Sequence, residues 1–273
     1  MITRMVAAGA RAFLVVLLVA TPALLMPGTR AETTQIIALI GLVAAILTLV
    51  EYLADAPSLI EFRSAPPFNR IRFFSLALTV ILLTLICRGA VLPSPLTDGL
   101  IAFGRGIGEA MDFSFSPVHL MLLAVPGEGM IEEIRPLAGL AYVISLVTIL
   151  VFVALVRILN WPLGRGAFNF WINLPLYDPT AGGDILRRLR RDSHVNVALG
   201  FLLPFLIPAL LKAAGVHVTT LSWAEPQTLI WTMSAWAFLP ASLIMRGVAL
   251  MRIADLIEEK RRRAYAQADL QAV

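Results

Sequence analysis

Residues 34–53 read TQIIALIGLVAAILTLVEYL, and the only acidic or basic side chain among them is Glu51, near the end. About 20 consecutive apolar residues span the hydrocarbon core of a bilayer when they are helical. Within a bilayer a segment must satisfy its own backbone N–H and C=O groups, and an α-helix does so. This stretch therefore predicts a transmembrane helix.

Five further apolar runs of similar length occur along the chain. They cover about residues 6–26, 73–90, 136–159, 195–213 and 227–251. Together the six runs predict an all-α, polytopic membrane helical bundle that forms a single membrane domain over residues 1–273. The composition agrees, since 59% of the residues are hydrophobic and only 15% are charged, whereas soluble domains carry about 25% charged residues.

The first apolar run allows a second interpretation. Arg4 and Arg11 precede an apolar stretch that leads to Thr29-Arg30-Ala31, which has the small-x-small pattern of a signal-peptide cleavage site. The stretch is long and Arg11 lies deep within it. We therefore favour a transmembrane helix and keep cleavage as the alternative.

The basic residues predict the orientation of the bundle. If the N-terminus lies in the cytoplasm, 17 of the 22 Lys and Arg residues fall on the cytoplasmic side, and Arg30, Arg88, Arg105, Arg135 and Lys212 fall on the other. Cytoplasmic loops carry an excess of Lys and Arg, so both termini are predicted to be cytoplasmic, in what we take to be a bacterial inner membrane. The same clustering accounts for the net charge of +4, and nucleic acid is not expected as a partner.

The predicted cytoplasmic segments carry the candidate binding residues. One loop follows the second apolar run, an amphipathic helix is predicted over residues 185–192, and a tail covers residues 252–273. Arginine binds phosphate and carboxylate groups alike, so anionic phospholipids and other membrane protein subunits are the expected partners. The candidate residues are Arg63, Arg70, Arg72, Arg187, Arg188, Arg190 and Arg191.

The predicted non-cytoplasmic segment, residues 91–135, contains a short apolar patch from Val118 to Val125. Pro117 and Pro126 flank the patch, which is too short to span a bilayer. We interpret it as an interfacial or loop segment. A re-entrant element or a docking surface is the alternative.

The sequence contains no motif that predicts a reaction or a metal site. A single cysteine, Cys87, excludes an internal disulfide and a multi-cysteine metal centre. His119 and His217 both fall in predicted non-cytoplasmic segments, and they are weak candidates for axial ligands of a haem or a chlorophyll. No other cofactor and no catalytic residue is predicted.

These observations favour a non-catalytic integral-membrane subunit, scaffold or assembly factor of a larger membrane complex. Glu51, Arg157 and Arg246 are the ionisable residues closest to the interiors of the apolar runs, and all three lie toward the predicted cytoplasmic ends. We expect them to fix helix positions, because a translocation path needs charge deeper in the membrane. One alternative is a transporter or channel for a small or lipidic solute. The other is a lipid-interface enzyme that uses the acidic residues of the predicted non-cytoplasmic segment, residues 91–135.

Overall fold

The computed structural model describes residues 2–55, 58–125, 127–159, 161–162, 168–175, 177, 184–213, 223 and 225–271, with the backbone alone at 128, 171 and 268–271. These residues form helices and no strand. Six helices are long and apolar enough to cross a membrane, which confirms the predicted all-α, polytopic membrane bundle. They are α1 (Ile2–Leu25), α2 (Ala31–Leu53), α3 (Phe68–Val91), α6 (Glu128–Ile158), α8 (Ile185–Ala213) and α9 (Pro226–Gln271).

Three shorter helices lie between the long ones: α4 (Pro95–Met111), α5 (Pro117–Leu123) and α7 (Phe170–Asn173). Helix α4 begins with a capping box, in which the side chains of Ser94 and Thr97 each accept a hydrogen bond from the other residue's backbone N–H. Ser116 caps α5 by accepting a hydrogen bond from the backbone N–H of His119. Both caps are followed by a proline in the first helical turn, where its missing N–H does no harm.

Helix α9 is the centre of the bundle. It packs against α3, α6 and α8, whereas α1 joins the outlying α2 to α3. The backbones of α8 and α9 approach closely at Gly200, where an added Cβ would lie 2.6 Å from the carbonyl oxygen of Pro240. Pro208 cannot donate to the carbonyl of Pro204 within α8, and the indole Nε1 of Trp236 in α9 donates to that carbonyl at 3.1 Å instead.

The core consists of two clusters, one toward each end of the bundle. The basic end is the end of the bundle at which α2 and α6 finish and at which α3 and α8 start. The other end is called the opposite end. At the basic end Phe62, Phe68, Phe152 and Trp161 pack together with ring centroids 4.6 to 6.2 Å apart. The opposite end is filled by residues of α3, α5, α6 and α9.

Several helices extend beyond the apolar spans that the sequence predicted. Helix α3 begins at Phe68 instead of residue 73, and α6 begins at Glu128 instead of Pro136, which lies inside the helix. The predicted starts followed the edges of the apolar runs. Polar residues, such as those of 128–135, can form the same backbone hydrogen bonds as the apolar residues that follow them. A helix can therefore begin before its apolar part.

The predicted amphipathic helix 185–192 and the span 195–213 are one continuous helix, α8, and the tail as far as Gln271 continues α9. No glycine or proline separates these parts, and arginine is a good helix former. The predicted segment 91–135 likewise contains α4, α5 and the first turns of α6. Its apolar patch, predicted as an interfacial or loop segment, forms the short helix α5, in which Val118 and Met121 are fully buried.

Candidate functional site

The loop after α2 is fixed at the basic end by Glu51. Its carboxylate, buried in the last turn of α2, accepts hydrogen bonds from the backbone N–H groups of Ser58, Leu59 and Ile60 at 3.0–3.1 Å. Arg63 of the same loop donates to the backbone carbonyls of Glu51 and of Ala54, the latter at 2.7 Å. These carbonyls at the end of α2 have no partner within the helix, so Arg63 acts as its cap.

A bidentate ion pair joins this loop to the central helix. Nε of Arg246 donates to one carboxylate oxygen of Glu61 at 2.6 Å, and its NH2 donates to the other at 2.7 Å. The guanidinium of Arg72 lies over the rings of Phe68 and Phe238, at 5.5 and 6.0 Å from their centroids. Its buried Nε has no hydrogen-bond partner within the described residues.

The second loop at this end is held against the first. The buried side-chain amide of Asn173 accepts a hydrogen bond from the backbone N–H of Ser64 at 3.0 Å and donates to its hydroxyl at 2.8 Å. Trp161 donates its indole N–H to the carbonyl of Ala65 at 3.2 Å. The Tyr177 hydroxyl donates to Asp192 at 2.7 Å. The burial of Tyr177 and the nearby Asp192 carboxylate raise the pKa of this hydroxyl.

The arginines predicted to bind lipids or partners fall into different environments. Arg63 donates to backbone carbonyls at the end of α2, and Arg72 lies over two aromatic rings. Arg70 is exposed. At the start of α8, Arg190 pairs with Glu258 of α9, Arg188 lies 5.8 Å from the centroid of Tyr177, and Arg191 pairs with Asp192. Arg187 is exposed to solvent. The binding role of all seven stays a prediction.

A lateral groove, which the sequence did not predict, opens at the same end between α6 and α8. Helix α9 forms its floor, and its volume is about 1020 Å³. Its polar lining consists of Arg157, Ser193, His194, Arg252 and Asp255. These residues come from three helices, so no local pattern in the sequence reveals the groove.

The opposite end contains a charged cluster around His119. Nδ1 of His119 lies 2.7 Å from Oδ1 of Asp112, and Nε of Arg135 donates to the other oxygen of that carboxylate at 2.9 Å. A histidine whose Nδ1 bonds to a carboxylate keeps Nε2 for a ligand or a proton. His217, the other candidate axial ligand, lies outside the described residues, so ligation of a haem or a chlorophyll stays a prediction. Within the described part of the chain, no group of three His, Cys, Asp or Glu residues is placed to hold a metal ion.

The chain was compared with protein-family models, with curated proteins and with solved structures, and none of the three comparisons finds a match. The six apolar helices alone therefore identify it as a multi-pass membrane protein.

Proposed function

We propose that this chain is a non-catalytic subunit, scaffold or assembly factor of a larger membrane complex, and that its basic end faces the cytoplasm of a bacterial inner membrane. The observation that carries the proposal is the length of α9. Its 46 residues extend over about 69 Å at 1.5 Å per residue, more than twice the roughly 30 Å thickness of a hydrocarbon core.

The projecting part of α9 has the properties of a docking arm. Residues 260–267 are exposed on every side of the helix and include the basic run Lys260–Arg263. A helix that is polar all round has no apolar face to hold it against its own bundle. Two ion pairs support its root beyond the core: Glu258 pairs with Arg190 of α8, and Arg261 pairs with Asp184, the residue before α8. We therefore assign the arm to an acidic surface of a partner subunit.

The ionisable residues near the span ends support the same function. Glu51 binds backbone N–H groups of the following loop, and Arg246 pairs with Glu61. Both side chains are used to fix loops, whereas a coupled transporter needs charges that bind and release ions. The lateral groove favours the second candidate function, a transporter for a lipidic solute. However, α5 contacts both α6 and α8 toward the opposite end, which favours a binding site over a passage.

Co-purification in a mild detergent tests the docking arm. A variant with Lys260, Arg262 and Arg263 changed to Gln, which keeps the Arg261–Asp184 ion pair, is expected to lose the proteins that co-purify with the native chain, while its thermal unfolding is unchanged. A control variant removes three basic charges from outside the arm and outside the candidate binding residues, through Arg4→Gln, Arg30→Gln and Arg105→Gln. It should retain those proteins.

Two results contradict the proposal. One is retention of the same co-purifying proteins by the arm variant. The other is a proton- or sodium-driven flux in vesicles that Glu51→Gln abolishes, since this result would make the chain a transporter.

A further inference from the structure

The lateral groove exists because α6 and α8 are held apart. Both pack against α9, but no close backbone contact joins them in the described part of the chain. Val248, on the floor of the groove, lies 18 residues after Ile230. This spacing is about five helical turns, so the two residues share one face of α9. Ile230 is fully buried in the core cluster that includes Met121 of α5, whereas Val248 is only half-buried and lines the groove.

The lining of the groove changes from apolar to polar at the predicted membrane boundary. Val197, Ala198 and Phe201 line its apolar part and fall inside the predicted span 195–213, and 63% of the surface of Phe201 is exposed. Arg252 and Asp255 lie just beyond the end of the predicted span 227–251. An apolar cleft that faces the lipid and has a polar head at the interface has the same polarity pattern as a phospholipid.

The polar part of the groove is suited to a phosphate group. Its charged lining consists of two arginines and one aspartate, with His194 beside them. Arg157 makes no hydrogen bond or ion pair to the described residues, and Arg252 uses only its Nε, which donates to the carbonyl of Trp161 at 3.2 Å. Arginine forms paired hydrogen bonds to phosphate, and both guanidinium groups retain donors for it.

We infer that this groove binds one anionic phospholipid from the membrane leaflet at the basic end. The lipid phosphate lies between Arg157 and Arg252, and the acyl chains run along Val197, Ala198 and Phe201. This site is distinct from the arginines that the sequence predicted to bind lipid, and it does not depend on the docking function of α9.

Native mass spectrometry of the full-length protein in a mild detergent, titrated with phosphatidylglycerol or with phosphatidylcholine, tests the inference. One phosphatidylglycerol is expected to bind more tightly than the others, and more tightly than phosphatidylcholine. The double variant R157Q/R252Q should weaken that binding about thirtyfold, since each arginine near an anionic headgroup contributes about fivefold. The variant R157K/R252K should retain most of the affinity.

Two further variants separate the groove from general charge effects. Ala198→Phe fills the apolar part without changing any charge, and it should also weaken binding of the single lipid. R262Q/R263Q removes the same charge from the exposed arm at the same end, and it should leave the affinity unchanged. The inference is overturned if Ala198→Phe and R157Q/R252Q, folded as judged by unchanged thermal unfolding, bind the lipid as the native chain does. Equal affinity for the two lipids in the native protein overturns it as well.

Discussion

At the scale of single residues, the basic end is organised by contacts between positions far apart in the chain. Glu61 and Arg246 are 185 residues apart, and Ser64 and Asn173 are 109 residues apart. The sequence predicted that Glu51, Arg157 and Arg246 fix helix positions. Glu51 and Arg246 make hydrogen bonds of that kind, whereas Arg157 makes none to the described residues. The sequence offered no way to find these partners, because a pairing across different helices leaves no periodic signal along the chain.

The Glu61–Arg246 pair leads to a prediction about stability. The side chain of Glu61 is 9% exposed and that of Arg246 25%, so Glu61→Gln leaves a largely buried cation without its carboxylate, close to Arg72. We expect the free energy of unfolding to fall by about 2–4 kcal/mol, measured by denaturant or thermal unfolding in detergent. Glu258→Gln removes the carboxylate of the exposed Arg190 pair and should cost about 1 kcal/mol or less. Equal losses in the two variants would contradict the buried role of Glu61.

At the scale of helices, the opposite end depends on close contact between α4 and α6. A Cβ added at Gly108 would lie 2.6 Å from the carbonyl oxygen of Arg135, and one added at Gly139 would lie 2.5 Å from the Cα of Gly108. Small residues allow the backbones of membrane helices to touch in this way. The glycines at 104, 106 and 108 match no motif of known function, and the structure assigns Gly104 and Gly108 to helix packing.

Two alanine substitutions in α4 therefore have opposite expected effects. Gly108→Ala must push α4 away from α6, and we expect it to lower the free energy of unfolding by about 1–3 kcal/mol. Gly106 lies two residues earlier, and a Cβ there would meet nothing within 4 Å. Gly106→Ala should stabilise the protein by up to about 1 kcal/mol, because alanine is the better helix former. The check is the pair of thermal unfolding midpoints in one detergent, and a stabilising Gly108→Ala would contradict the packing.

At the scale of the whole molecule, the sequence predicted the bundle because transmembrane helices depend on the length and polarity of one segment at a time. It failed where a feature depends on how segments meet. The apolar patch at 118–125 was too short to span, and its burial as α5 follows only from the space that α6 and α8 leave between them. The groove between α6 and α8 could not be predicted from the sequence for the same reason.

The orientation of the bundle is a prediction for the whole molecule. The structure places Asp55 and the start of α1 at one end, where an Arg4–Asp55 ion pair joins them, and the excess of basic residues predicts that this end is cytoplasmic. With Cys87→Ser as background, single cysteines at Ser114 and Ala264, both exposed, report the two sides. An impermeant maleimide should label S114C in intact cells and A264C only after lysis. The reverse pattern would contradict the orientation.

The unbroken course of α9 has a mechanical consequence. The helix passes both core clusters and then continues past Arg252 to Gln271. Its outer part is therefore the arm of a lever. The pivot lies where α8 and α9 are in closest contact, at Gly200 of α8 and Gly247 of α9. At 1.5 Å per residue Gln271 lies about 36 Å beyond Gly247, so a tilt of about 5° at Gly247 displaces Gln271 by about 3 Å. The partner subunit proposed to bind the arm would therefore apply torque to the packing of α8 on α9.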